Sequence, residues 1–172
     1  MADRKPVEAT NLDRYGAPII PWSDVRDALD RLHEADVPFF LGTVYPDGHP
    51  HIAGFGPAWL DGDFYICTGL ATQKAKNIAA NPACTIAAHL PGYDVTMEGT
   101  ATRVDHPETL EKVAAVYRDG GWPAEVSGDA LVAPYSAPSA GPPPWHIFRF
   151  TFDKVVALKL DEQGGATRWR FA

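Results

Sequence analysis

Two Asp-Gly pairs, Asp47-Gly48 and Asp61-Gly62, each stand between short apolar runs, and this narrows the possible folds more than any other feature of the chain. Asp-Gly supplies the left-handed backbone that a tight hairpin turn needs, at little steric cost. The spacing predicts strands over 37–45, 51–59 and 64–68, joined as consecutive antiparallel hairpins.

The same reading carries through the rest of the chain. Residues 1–21 mix charges with Pro18 and Pro21 and show no period, which predicts an extended arm on the surface or on a partner chain. Ser23 offers an N-cap to a helix whose Val25, Ala28, Leu29 and Leu32 recur at helical spacing up to about Ala35. Thr72 caps a short helix over 73–80 that Asn81-Pro82 ends, and a third helix runs from Pro107 to the Gly120-Gly121 stop. Further strands are expected over 84–90, 95–104, 147–152, 155–160 and 166–171. Eight short strands with few helices point to a mainly β, antiparallel barrel in a single domain spanning 1–172. Residues 119–145 stand out, being rich in Gly, Pro, Ser and Ala yet carrying Trp122, Tyr135 and Trp145. A long loop without structure of its own marks either a functional lid or disorder, and the aromatic residues favour the lid.

Composition removes several function classes. A formal charge of -7 would meet a phosphate-covered partner with repulsion, so nucleic acid is not expected as a partner. The apolar runs are too short to cross a bilayer, and the first residues lack the apolar core of a signal peptide, so a cytoplasmic protein without membrane contact is expected. Cys67 and Cys84 sit in apolar strands without ligand spacing, and no H-E-x-x-H pattern appears, so reduced thiols and no metal site are expected.

Three segments could carry chemistry. In the first, Cys67 and Thr68 end a strand and Thr72, Gln73 and Lys74 open a helix, whose unpaired N–H groups and partial positive charge suit a phosphate. The same residues also suit an ordinary capped surface helix. The second is Phe55-Gly56-Pro57-Ala58, where a glycine inside a strand pattern permits close approach of a flat ligand, or marks a bulge at a barrel corner. In the third, strand alternation puts Arg168 and Arg170 on one face and Trp169 and Phe171 on the other, as an anion and stacking site or as an edge strand with core aromatics.

Taken in order, the hairpins, the glycine-containing strand, the strand ending in Thr68 and the run T-x-K-x-x-N-I-x-x-N-P from Thr72 resemble the pyridoxamine 5'-phosphate oxidase-like family. The likeness covers about residues 23–117, and the closing strands more loosely. It implies an FMN-binding split β-barrel with Greek-key-like strands, working as a homodimer whose cofactor lies between the subunits. The cofactor would be FMN or, as in other members, the deazaflavin coenzyme F-420. The resemblance assigns the phosphate to Thr72, Gln73 and Lys74 with Cys67 and Thr68, and the ring system to Phe55, Gly56, Pro57 and Ala58. Trp169 resembles the family's C-terminal aromatic near the other subunit's cofactor, with Arg168 or Arg170 as anion contacts. Vitamin B6 oxidases carry an arginine where Gln73 stands and an Arg-x-His pair where Arg168-Trp169-Arg170 stands, which argues against pyridoxal phosphate synthesis. The implied activity is hydride transfer between the cofactor and a small substrate. A non-catalytic carrier and a haem-binding barrel are the alternatives, the latter if His89 or His146 points into the pocket.

Overall fold

The computed structural model describes residues 4–32 and 37–172. Within them are strands β1 (Glu8–Asn11), β2 (Phe39–Val44), β3 (Pro50–Phe55), β4 (Pro57–Leu60), β5 (Asp63–Thr68), β6 (Ala83–Leu90), β7 (Tyr93–Val104), β8 (Glu125–Ser127), β9 (Ala130–Val132), β10 (His146–Lys159) and β11 (Ala166–Arg170). Three α-helices accompany them, α1 (Trp22–Asp30), α2 (Gln73–Ala80) and α3 (Pro107–Asp119). Among the described residues no helix is long and apolar enough to cross a membrane.

The sheet is organised around β10. One edge of this strand pairs with β7 along nearly its whole length, while the other edge pairs with β5 over His146 to Phe150 and with β11 over Lys154 to Leu158. The register slips between Phe152 and Lys154, a bulge that bends the strand where it changes partner. Two strands predicted on either side of this point are therefore one. Gly99 lies opposite the bulge, where a Cβ atom would overlap the backbone of Thr151 and Phe152.

β7 pairs with β6, β6 with β2 and β2 with β3, while β4 pairs with β5, every ladder antiparallel. The strand predicted over 51–59 is thus interrupted at Gly56: before it the chain pairs with β2, after it with β5. The ring of strands closes through the chain itself at this residue, which is the split in the barrel. The second Asp-Gly turn has the geometry its sequence demands, with Asp61 and Gly62 both left-handed at φ 54° and 87°.

Period-two alternation sorts β5 between two cores. Phe64 and Ile66 point into the barrel with Leu41, Ile86, Met97 and Phe150. Tyr65 and Cys67 point outward, where Leu110, Val113 and Ala114 of α3 cover them together with Ala124 and Leu131.

Two local expectations change, and the N-terminal arm takes one of its two expected places. α1 begins at Trp22 with Pro21 at its N-cap and no capping side chain, because Ser23 lies inside the first turn and bonds to Asp24 instead. Its predicted end near Ala35 falls outside the described residues. The N-terminal arm lies on its own barrel: β1 zips onto β11, and Arg4 donates to the Phe152 carbonyl at 2.7 Å. Residues 119–145 are not structureless, for they hold the β8–β9 hairpin and a 3-10 turn over Pro138–Ala140. Backbone bonds between Leu131 and Trp145 close that segment on itself just before β10 begins.

Candidate functional site

The strand end at Thr68 and the first turn of α2 meet the barrel split at Gly56 and the 119–145 segment around one cavity of about 490 Å³. That volume is in the range of cofactor and small-ligand sites. Phe55, Gly56, Cys67, Thr68 and Lys74 line it, so the two halves of the assignment drawn from the sequence come together in space.

Local chemistry fixes the phosphate-like end. Thr72 caps α2, its hydroxyl accepting from the Ala75 N–H at 3.4 Å and donating to the Gly69 carbonyl at 2.8 Å. With the Thr72 proton committed, the 2.9 Å contact between the two hydroxyls has Thr68 donating to Thr72. The donors left for an anion are the Lys74 ammonium and the first-turn N–H groups of Gln73 and Lys74, which have no acceptor within the helix. Lys74 is half-buried and its pKa is lowered, chiefly by loss of hydration. No carboxylate pairs with it among the described residues. Burial pushes the neighbouring Cys67 thiol up to about 12, so it stays protonated and offers Lys74 no counter-charge.

The other walls are flat and largely apolar. Gly54 and Gly56 expose backbone, and Phe55, Trp122 and Tyr135 supply ring faces, while Trp145, which also borders the cavity, is 2 % exposed. Tyr117 joins the two sides of the split: its hydroxyl donates to the carbonyls of Gly56 at 3.1 Å and Tyr65 at 3.2 Å. Burial of that hydroxyl raises its pKa well above the usual phenol value. Trp122 donates to the Tyr135 carbonyl at 2.7 Å and Trp145 to the Gly141 carbonyl at 3.2 Å, which holds the 119–145 wall in place. A second cavity of about 580 Å³ lies across Gly56, Tyr117 and Trp122 and includes Pro57 and Trp59 in its lining.

Six assigned residues stand elsewhere. Ala58 is fully buried in the packing between β4 and α3, and Pro57 faces the second cavity. Gln73 turns along its own helix and donates to Asn77 Oδ1 at 2.7 Å. Trp169 is 1 % exposed and packs 5.5 Å from Trp22 inside the barrel, away from the cavity. Arg168 and Arg170 do share the opposite face, as alternation requires, and both turn to Glu8 of the arm. In the sequence Tyr117 stands as one more residue of the apolar stripe of its helix, although a tyrosine near a Gly-Gly stop has a hydroxyl that needs a partner. Ser136 and Ser139, which also line the main cavity, carried no signal.

The residues present fit a phosphorylated planar cofactor, with an unpaired half-buried cation at one end and aromatic and backbone surfaces along the rest. A model of the pyridoxamine 5'-phosphate oxidase family matches residues 25–159, and the chain belongs to that family. Solved structures share its fold. A pyridoxamine 5'-phosphate oxidase-related, FMN-binding protein from Nostoc punctiforme superposes with TM-score 0.58 and 19 % identity, over 87 % of this chain and 90 % of that one. An F-420 reductase gives TM-score 0.51 and 22 % identity over 73 % of this chain and 94 % of its own. A heme-binding protein from Mycobacterium smegmatis gives 0.57 and 18 %, covering 87 % of this chain and 59 % of that one. No curated protein matches the chain.

Proposed function

We propose that this chain is an oxidoreductase that binds FMN or the deazaflavin F-420 in the cavity at the barrel split. The observation that carries the reading is Lys74, a half-buried cation without a carboxylate partner among the described residues, at the polar end of an aromatic-walled cavity. Lys74 and the N–H groups of the first α2 turn hold the phosphate, and Thr72 fixes that turn by capping it. Phe55 and the bare backbone at Gly56 accept the ring system. When bound, the cofactor supplies hydride chemistry, while the protein supplies orientation and electrostatics.

The protein's own part in such a reaction is to position and to exclude water. Tyr117 fixes the Gly56 carbonyl, and so holds the split at one width. Trp122 and Tyr135 offer the small-molecule substrate ring faces to stack on, and the 119–145 wall, with Trp145 buried in it, keeps water from that side. The chain works as a homodimer in this reading. Support comes from β3, an edge strand whose Ile52 is 68 % exposed, and from Phe40 beside it on β2. Neither His89 nor His146 lines the cavity: His89 is exposed and bonded to Asp94, while His146 is buried beside β5.

The test is an equilibrium fluorescence titration with FMN and with F-420. Lys74→Ala should weaken whichever binds by ~1.5–3 kcal/mol, the loss expected for a charge-assisted hydrogen bond. Unchanged affinity would remove the phosphate assignment.

A further inference from the structure

Among the described residues, Lys74 is the only charged side chain lining the cavity. The next candidate for an anion contact, Gln73, is neutral and committed elsewhere. Its amide donates to Asn77 Oδ1 at 2.7 Å, and Asn77 Nδ2 donates to Thr43 Oγ1 at 3.0 Å. Asn77 and Thr43 are 0 % and 3 % exposed, so a buried chain of hydrogen bonds holds the Gln73 side chain away from the cavity. The hydroxyl protons of Thr68 and Thr72 are committed within the cluster they form with Gly69, and the other hydroxyls lining the cavity, those of Ser136 and Ser139, are neutral.

From one chain the site therefore brings one full positive charge to its ligand, together with the partial charge of a helix start. A monoanionic phosphodiester is neutralised there. A dianionic phosphomonoester leaves one negative charge uncompensated in a half-buried place, and the cost of dehydrating an ion rises with the square of its charge, faster than its attraction to a single lysine.

Resting on the cofactor reading above, we infer that this cavity selects a phosphodiester-linked cofactor over a phosphomonoester, and that Gln73 sets the preference by standing aside from Lys74. FMN is a monoester. F-420 carries its phosphate as a diester, and belongs to the favoured class.

The experiment compares FMN with its 5'-methyl phosphodiester, which keeps the ring and changes only the phosphate charge, by fluorescence titration of the full-length protein at pH 8. F-420 is titrated alongside. The wild-type protein should bind the diester at least about fivefold more tightly than FMN, the scale of one partly exposed charge. Gln73→Arg should remove or reverse that ratio. A second measurement needs no variant: the FMN phosphate gains a proton near pH 6, so the wild-type gap should narrow between pH 8 and pH 5 while diester binding stays flat. Equal affinities, or FMN bound more tightly than its diester at pH 8, would overturn the inference and leave the cofactor reading standing. Failure of FMN, the diester and F-420 alike to bind would overturn both.

Discussion

The chain holds two clusters of aromatic rings that composition would not tell apart. In the barrel, Trp22, Phe152, Trp169 and Phe171 meet at 4.9 to 6.0 Å between ring centroids, and the last three are no more than 7 % exposed. At the split, Tyr117, Trp122 and Trp145 meet at 5.3 and 5.5 Å, but this group borders an open cavity. The difference lies in what surrounds the rings. Strand and helix alternation builds the first cluster, whereas the second sets Tyr117 of α3 against two rings of a segment with little period and is held by polar atoms on backbone carbonyls. Aromatic content marks where area is buried; only the elements around it decide whether a ring is core or wall.

Substitutions in the two clusters should separate these roles. Trp169→Ala opens a large hole in the barrel and should cost ~3–5 kcal/mol in denaturant unfolding, with cofactor affinity unchanged where the protein still folds. Trp122→Ala should cost about 1–2 kcal/mol, since the ring is only half-buried, yet weaken cofactor binding in titration. The reverse pattern would mean that the clusters have been assigned the wrong way round. Tyr117→Phe removes the donor shared by Gly56 and Tyr65 and should cost ~1–2 kcal/mol in the same unfolding experiment, with a looser split and weaker binding. Thr72→Ala removes a helix cap and should cost about 1 kcal/mol.

Titration gives a graded test of how dry each side is. Burial raises the Cys67 thiol from 9.0 to about 12 and Cys84 to about 11. A thiol held above its unfolded value contributes stability that is whole below pH 9 and lost as the pH climbs through the folded value. The unfolding midpoint under reducing conditions should therefore fall from about pH 9 upward. Lys74, lowered by burial, acts in the opposite sense below 10.5, so Cys67→Ala isolates the thiol's share by flattening the fall.

Much of this was legible in the sequence, for local reasons. Asp61-Gly62 demanded its turn, Thr72 its cap and Pro107 its helix start, because each acts on neighbouring residues. What escaped depends on contacts distant in the chain. The strand through Gly56 reads as continuous, and only its exchange of partner from β2 to β5 divides it. Two strands flanking Asp153 read as separate because the bulge breaks their alternation, although the ladder with β7 runs past it. Trp169 followed its alternation into the core against the role the family likeness had given it. Gln73 followed a helical i to i+4 bond that its position made available.

The central claim is that the cavity at the split holds a phosphorylated flavin-type cofactor through Lys74. Its most direct test is the mass and absorption spectrum of what purified protein releases on denaturation after incubation with FMN or F-420 and removal of the excess. One molecule of either per chain from the wild type, and far less from Lys74→Ala, is the predicted result. No retained cofactor, or equal retention by both proteins, would contradict it.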